Sequence, residues 1–322
     1  MKRKLFSIAF AMILLIGLPL HAHAVELLIP VGKVIGLQLS DDTVTIVAFD
    51  DVLGSSSKEA GLKIGDEIRT IEDTPVRSPE DVRSVLEHCQ DDVDVTVCRG
   101  GKLHTIEVEP VLTSEGRKLG IYLRQGIAGI GTVTWYDPQS GKFGALGHGV
   151  STARGNLLCM THGNSYDAQI GSVIKGKCGE PGQLKGNADA NFPCGELYRN
   201  TAQGVFGYNR GGWRGEPLPV AEFQQVHTGP ATIRSTVCGT EAQEYSVEIL
   251  KIYPANRPDN RNFLLQVTDP ELLNATGGIV QGMSGSPIIQ DGKLIGAVTH
   301  VLVNDPTRGY GIFIENMLDA AD

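Results

Sequence analysis

A short glycine-rich segment near the C-terminus constrains the fold of this chain more than any other feature. Residues 282–287 read Gly282-Met283-Ser284-Gly285-Ser286-Pro287, between an apolar run at 278–280 and the strand-like Ile288-Ile289. Small residues on both sides of Ser284 allow a tight turn, which exposes the hydroxyl and lets nearby N–H groups converge. Asp291-Gly292 then indicates a hairpin before the next apolar strand. The pattern predicts a β-rich fold with Ser284 presented at a turn.

Length and composition agree with such a fold. The chain has 322 residues, enough for two domains, and 40 glycines, which favours turn-rich β structure. The formal net charge is −9, and no cluster of Lys and Arg stands out. The composition therefore argues against nucleic acid as a partner.

The N-terminus has the pattern of an export signal. Lys2-Arg3-Lys4 precedes an apolar run over residues 5–20, which ends at the small-x-small site Ala22-His23-Ala24. We expect a signal peptide over residues 1–24, either cleaved or kept as a membrane anchor. No other segment is long and apolar enough to cross a membrane. The remaining chain is thus expected outside the cytoplasm, with membrane contact only through the N-terminal segment.

The six cysteines form no CxxC pair and no zinc-type spacing. The sequence is compatible both with disulfides and with buried free thiols. No set of His, Asp and Glu has the spacing of metal ligands, so we expect neither a metal nor a cofactor.

Residues 27–111 read as a small domain. Ser78-Pro79-Glu80-Asp81 predicts a helix start, with Ser78 as N-cap and Pro79 at the first helical position. The segment resembles a PDZ domain through Ile35-Gly36-Leu37, the Ala60-Gly61-Leu62 and Gly65-Asp66 spacing, and the helix over residues 79–88. The resemblance implies that the N–H groups of Ile35, Gly36 and Leu37 receive the carboxylate of a peptide that is added as a strand. In the other reading the same glycines are ordinary turn residues of a spacer domain.

Residues 117–322 form the second domain, which is strand-rich, with a Gly- and Asn-rich stretch at 178–214 expected as loops. A serine hydroxyl needs a positioned base. His148 ends a strand between two glycines and precedes Ser284, the order found in chymotrypsin-like proteases with two β-barrels. We therefore predict His148 as the base, with His162 as the closest rival.

The third catalytic group should be a carboxylate that orients the imidazole. Asp269 follows a predicted strand and is favoured over Asp137, Asp167, Asp189 and Asp259. Its other reading is a helix N-cap, because a first helical turn follows at Pro270. The backbone N–H groups of Gly282 and Ser284 are the expected oxyanion hole.

The motifs together are similar to those of the stage IV sporulation protein B peptidase family. They are a signal segment, a PDZ domain, residues 143–148, Thr268-Asp269-Pro270, residues 276–287, residues 296–301 and residues 303–307. The resemblance implies a secreted serine endopeptidase in the space between the two forespore membranes. Such enzymes cleave themselves and a membrane-anchored inhibitor of pro-sigma-K processing. The resemblance also implies that His148 is the base, Ser284 the nucleophile and Asp269 the acid. It further implies that the PDZ domain serves self-recognition and substrate choice.

Two other functions are compatible with parts of the sequence. A secreted PDZ scaffold with an inactive protease fold should have lost a catalytic residue, yet all three candidate positions are filled. An envelope quality-control protease of the HtrA type normally has its PDZ domain after the protease domain. Here the order is reversed.

Overall fold

The computed structural model of the protein describes residues 26–152 and 155–322. The expected signal peptide at residues 1–24 lies outside the described residues. Within the described ranges, none of the helices has both the length and the apolar character required to span a bilayer. Strands predominate and helices are short, as the glycine-rich composition predicts.

The first third of the chain contains two long strands and a small α/β unit between them. Its elements are β1 (Leu27–Pro30), β2 (Val34–Phe49), α1 (Ser55–Ala60), β3 (Glu67–Ile71), β4 (Thr74–Pro75), α2 (Pro79–His88), β5 (Val93–Arg99), β6 (Lys102–Val108), β7 (Val111–Thr113), β8 (Gly116–Lys118) and β9 (Ile121–Tyr136). We call residues 43–118 the PDZ-like unit. Its apolar core includes Val44, Ile46, Ile68, Leu86 and Val95, all at most 3% exposed.

Helix α2 begins as its sequence predicts. The Ser78 side chain accepts a hydrogen bond from Asp81 N, and the Asp81 carboxylate accepts one from Ser78 N in return. Pro79 occupies the first turn, where its missing N–H costs nothing. This reciprocal cap, together with buried Val82 and Leu86, fixes α2 against the sheet of the PDZ-like unit.

The first barrel is built from strands on both sides of the PDZ-like unit in the sequence. Later strands in this half are β10 (Lys142–Ala145), β11 (His162–Ile174), β12 (Gln183–Thr201), β13 (Gly204–Asn209) and β14 (Leu218–Pro219). The order β9-β10-β13-β12-β11-β2 closes on itself, because β2 also pairs with β9. Six strands therefore form a ring around a core that includes Leu37, Val133 and Phe143.

The second barrel lies entirely in the C-terminal part. Its elements are β15 (Gly229–Ser235), β16 (Gln243–Ile252), β17 (Phe263–Val267), α3 (Pro270–Thr276), β18 (Pro287–Gln290), β19 (Lys293–Leu302), β20 (Asp305–Phe313) and α4 (Ile314–Ala321). The six strands close in the order β15-β16-β17-β20-β19-β18. Phe263, Met283 and Ile288 are buried in its core. The predicted mostly β chymotrypsin-like fold with an N-terminal PDZ domain is confirmed.

Two sequence expectations need correction. The stretch 178–214, expected as loops, contains all of β12 and β13, because many of its Gly and Asn residues lie within long paired strands. The predicted first domain, residues 27–111, does not fold as one piece. Residues 27–39 pair and pack in the first barrel, since their apolar side chains face Val133 and Leu197 rather than the core of the PDZ-like unit.

Candidate active site

Ser284 lies on the sharp turn between α3 and β18. Gly282 and Gly285 adopt φ values of +99° and +97°, which side chains other than glycine rarely reach. A Cβ at Gly285 would lie 2.0 Å from Thr132 O, so this position requires glycine for space as well as for φ. Met283 points inward and is fully buried. The alternation of small and buried residues leaves Ser284 facing the space between the barrels.

Strand β9 of the first barrel holds the Ser284 turn through hydrogen bonds. Thr132 N donates to Ser284 O at 3.1 Å, and Thr132 Oγ1 donates to Gly282 O at 2.7 Å. Thr134 Oγ1 donates to Gly285 O at 2.8 Å. Three carbonyls of the turn are thus held by neighbouring residues of one strand, which orients the peptide planes around Ser284.

His148 follows β10 on the opposite side of the same space. Its Nδ1 lies 3.0 Å from Gly149 O. Because a carbonyl can only accept, Nδ1 carries the proton in this contact and Nε2 keeps a free lone pair. Burial lowers the pKa of His148, against a smaller raising effect of the Gly149 carbonyl. His148 is therefore neutral near pH 7, in the tautomer that a general base requires.

The structure brings Ser284 and His148 to one cavity of about 530 Å³ between the barrels. Its walls are apolar, with Leu39 and Ile127 from the first barrel and Val280 and Val301 from the second. The Ser284 hydroxyl donates to Thr299 O at 2.7 Å, so its proton is directed away from His148 in this state. The two groups share the cavity, and in this state the hydroxyl is bound to Thr299 O and not to His148.

The predicted oxyanion donors remain available. In the described part of the chain, neither Gly282 N–H nor Ser284 N–H donates to a backbone carbonyl. Both groups belong to the turn that β9 holds in place. Unpaired N–H groups next to a nucleophile can stabilise the negative oxygen that develops during acyl transfer.

Asp269, the predicted acid, is placed elsewhere. Its Oδ1 accepts hydrogen bonds from Glu271 N and Leu272 N, both at 3.0 Å, and its Oδ2 accepts one from Ser246 N at 3.2 Å. It thus caps the N-terminus of α3, the second reading of this position. The cavity lining does not include Asp269, and the structure does not join it to His148. The physical reason is that two N–H donors at the start of α3 bind Oδ1 and the N–H of Ser246 in β16 binds Oδ2, so both carboxylate oxygens are already used.

The rival residues do not reach the site. His162 begins β11, is exposed, and lies 3.6 Å from the Asp42 carboxylate, outside the cavity. Ser286 is fully buried, which prevents it from acting as nucleophile. Among the described residues, no group of three or more His, Cys, Asp or Glu side chains could hold a metal ion, and all six cysteines are free.

His300 is a cavity residue that the sequence analysis did not single out. Its ring lies 5.2 Å from that of His148, centroid to centroid, at an interplanar angle of 40°. It follows Thr299, whose carbonyl accepts the Ser284 hydroxyl. A histidine at the end of an apolar strand carried no local signal, because its contact with His148 arises only when the barrels pack together.

The predicted carboxylate-binding loop at Ile35, Gly36 and Leu37 is wrong. These residues lie within β2 and pair with β9 on one side and β11 on the other. Ile35 and Leu37 are at most 4% exposed. With a strand on each edge, the backbone of this segment has no free side for an incoming peptide.

A similar Leu-Gly-Ile sequence at residues 119–121 lies at an open groove instead. The groove, of about 800 Å³, runs between α2 and the start of β9. Gly120 adopts φ +64°, and its carbonyl accepts from Asp50 N at 2.8 Å. Because the peptide bond is trans, Ile121 N–H points in the opposite direction, away from β2. A backbone donor therefore faces the side on which the groove lies.

Comparison with known proteins agrees with this architecture. Residues 115–318 match the SpoIVB peptidase S55 family, and residues 34–109 match the PDZ domain. Among curated proteins, none is significantly similar to the chain. Of the solved structures, the inactive form of Rv3671c protease is 14% identical, with 60% of this chain and 82% of that chain covered and a TM-score of 0.33. The active form of the same protease, from M. tuberculosis, is 13% identical, with coverages of 62% and 75% and a TM-score of 0.35. These structural likenesses are weak.

Proposed function

Because the chain belongs to the SpoIVB peptidase S55 family and is a serine peptidase with a PDZ domain, we propose that it is an exported endopeptidase that uses Ser284 and His148. The observation that carries these roles is the shared cavity. Ser284 on the second barrel and His148 on the first both line it. Ser284 also has free backbone donors beside it, and His148 is neutral with Nε2 unprotonated.

The proposed reaction begins when the Ser284 hydroxyl leaves Thr299 O and turns toward His148. His148 Nε2 takes the hydroxyl proton while Ser284 Oγ bonds to the scissile carbonyl carbon. The N–H groups of Gly282 and Ser284 stabilise the resulting oxyanion. The proton then passes from His148 to the leaving amine, the peptide bond breaks, and water hydrolyses the acyl-enzyme with His148 again as base.

Labelling and self-cleavage test these roles together. We expect a fluorophosphonate to label the purified protein at Ser284 and the chain to cleave itself. Ser284→Ala should abolish both. Ser286→Ala is the matched control, because Ser286 is close in sequence but buried, and it should retain both activities. Labelling that survives in Ser284→Ala would contradict the proposal, and a wild type that never reacts would indicate an inactive scaffold.

We further propose that the PDZ-like unit binds an extended peptide segment in the groove between α2 and β9. Ile121 N–H faces that side of β9, where it can donate to the backbone of a peptide added as a strand. Ile121→Pro removes this N–H, so it should weaken capture of a Ser284→Ala copy as substrate. Ile35→Val, within the first barrel, is the control and should leave capture unchanged.

The biological substrates we propose are the chain itself and a membrane-anchored sporulation regulator whose cleavage triggers pro-sigma-K processing. Support comes from the family resemblance and from the export signal in the sequence. Complementation of an endospore former that lacks its own S55 peptidase tests the proposal. We expect the wild-type chain, but not Ser284→Ala, to restore pro-sigma-K processing. Failure of an exported, labelled wild-type enzyme to do so would favour a general envelope protease.

A further inference from the structure

The connection between β11 and β12 of the first barrel reaches across to the second barrel. We call residues 175–184 the crossing segment. Gly176 N donates to Thr276 O at 2.8 Å, and Gly179 N donates to Val303 O at 2.9 Å. Val303 lines the cavity between the barrels. The crossing segment therefore joins the two barrels beside the proposed catalytic cavity.

Two further hydrogen bonds fix Gln281, which precedes the Ser284 turn. Gln281 N donates to Gly182 O at 2.9 Å, and Leu184 N donates to Gln281 O at 2.8 Å. Together these bonds form a parallel bridge between Gln183 and Gln281. Both backbone groups of Gln281 are thus bound to the crossing segment.

The Gln281 carbonyl shares its peptide plane with the N–H of Gly282, one of the two expected oxyanion donors. No peptide bond in the described part of the chain is cis, so the C=O and N–H of this plane point in opposite directions. Because Gln281 O points toward Leu184 in β12, Gly282 N–H points away from β12. Gly282 lines the cavity, and its N–H donates to no backbone carbonyl of the described residues. The bond from Leu184 therefore leaves Gly282 N–H free for a substrate oxygen.

This turn has an alternative form in which the same peptide is reversed. Met283 N donates to Val280 O at 3.1 Å, so residues 280–283 form a β-turn. Its third residue, Gly282, has φ +99°, which fits a type II turn. A type I turn differs by rotation of the central peptide through roughly half a turn. In that form Gln281 O, and not Gly282 N–H, would face away from β12, and a carbonyl oxygen there would repel a developing oxyanion.

We propose that Leu184 is a positioning residue for the oxyanion hole. Its backbone N–H holds Gln281 O in the orientation of the type II turn and so keeps Gly282 N–H directed at the reacting carbonyl oxygen. This inference rests on the proposed role of Ser284 as nucleophile. Because β12 belongs to the first barrel, the serine turn of the second barrel depends on the crossing segment for its catalytic geometry.

An ester in place of the peptide bond before Leu184 tests this role without changing any side chain. Translation of the hydroxy-acid analogue of leucine at position 184 replaces the N–H by oxygen. We expect kcat for cleavage of a Ser284→Ala copy to fall about 3- to 10-fold, the effect of one hydrogen bond. This is less than the ~10²- to 10³-fold effect of losing an oxyanion donor, since Gly282 N–H itself remains. KM should stay unchanged, because the oxyanion develops only after the substrate has bound. Fluorophosphonate labelling of Ser284 should slow by the same factor as kcat.

An ester before Ile170 is the matched control. Ile170 N donates to Gly239 O at 2.8 Å, and Ile170 is 3% exposed, compared with 2% for Leu184. This ester therefore removes a bond of the same length, between β11 and the connection from β15 to β16, away from the serine turn. Thermal unfolding should show a similar loss of stability in both esters. Only the Leu184 ester should lower kcat and the labelling rate.

A pair of ordinary substitutions replaces the ester if the ester variant does not fold. Leu184→Pro and Leu184→Ala both shorten the buried side chain, but only proline lacks the backbone N–H. We expect kcat to be lower in Leu184→Pro than in Leu184→Ala by the same factor as for the ester. Equal kcat values in this pair would overturn the role of Leu184.

The outcomes separate this inference from the proposed function. If fluorophosphonate labels Ser284→Ala, the proposed function itself fails. If Ser284→Ala is unlabelled but the Leu184 ester keeps the wild-type kcat and labelling rate, only the role of Leu184 is overturned. An equal fall of kcat in both esters would also overturn it, because the loss would then act through stability alone. A rise in KM at constant kcat would do the same, since the crossing segment would then serve substrate binding.

Discussion

The two halves of the proposed catalytic cavity are built in contrasting ways. On the serine side, three carbonyls of the turn accept hydrogen bonds from β9, and two glycines with positive φ fix the backbone. On the histidine side, His148 has one hydrogen bond, to its own neighbour, and one ring contact with residues that the structure describes. The proposed nucleophile is therefore held by many contacts, whereas the proposed base depends on few. Substitutions should be more damaging beneath Ser284 than around His148.

The largest effect is expected from Gly285→Ala. The new Cβ would meet Thr132 O at 2.0 Å, in a backbone conformation with φ +97°. The atoms that the Cβ would meet, Thr132 O and Leu146 N, belong to the backbone. They cannot move away without disrupting the turn. We expect a loss of roughly 3 kcal/mol or more in the free energy of unfolding and no measurable activity. Urea denaturation and fluorophosphonate labelling check this, and a stable, active variant would show that the serine side is less rigid than described.

A smaller effect is expected from Thr132→Val, which keeps the shape of the side chain. It removes the hydroxyl that donates to Gly282 O at 2.7 Å and leaves that carbonyl without this partner. The expected cost is about 1–3 kcal/mol, shared between stability and kcat because the oxyanion donors lose part of their support. Thr43→Val in the PDZ-like unit is a control of the same chemistry away from the cavity. Equal kcat values for the two variants would contradict the link between β9 and the turn.

The lowered pKa of His148 should be visible in the pH dependence of kcat/KM and of stability in the wild type. Burial lowers the pKa of His148, so the base stays neutral below its ordinary pKa of about 6.5. We expect kcat/KM to persist below pH 6.5 and to fall only as pH passes through the lowered value. The unfolded chain binds this proton more readily, so His148 also makes stability fall as pH drops below about 6.5. An acid limb centred above 6.5 would indicate a carboxylate partner after all.

The smallest effect concerns Asp269, which the structure uses as a helix cap. Asp269→Ala should lower the free energy of unfolding by about 1 kcal/mol, whereas Asp269→Asn should keep the helix cap through its one amide oxygen and lose only the bond from Ser246 N. The Asn variant thus removes the negative charge but keeps the helix cap, so it tests the charge alone. If it is stable but inactive in the self-cleavage assay, the carboxylate is needed for catalysis, and the histidine side has a partner that approaches in another conformation.

Local chemistry explains which parts of the site the sequence could predict. The turn around Ser284 and the position of His148 depend on neighbouring glycines, whose spacing is visible in the chain. The cap reading of Asp269 was also visible, in the following Pro270, although the sequence could not decide between cap and acid. The contact of His300 with His148 depends on how two barrels pack, and no local pattern encodes it.

The groove between α2 and β9 shows a second limit of prediction from the sequence. Ile35-Gly36-Leu37 and Leu119-Gly120-Ile121 have nearly the same pattern, yet the first lies between two strands and the second borders an open groove. Which strand has a free edge is a property of the whole sheet. Residues 27–39 were assigned to the wrong unit for the same reason, since their partners lie far away in sequence.

Strand β9 runs without interruption from the mouth of the peptide groove to the turn beneath the serine. Its first residues pair with the PDZ-like part of β2, and its last residues pair inside the first barrel. The two modules consequently share this strand, which passes from one to the other at Gly126, where φ is +68° and the pairing with β2 shifts register. A truncation between the two modules would remove from one of them a strand that it needs to fold. The roles of the two modules are therefore best separated by point substitutions in the intact chain.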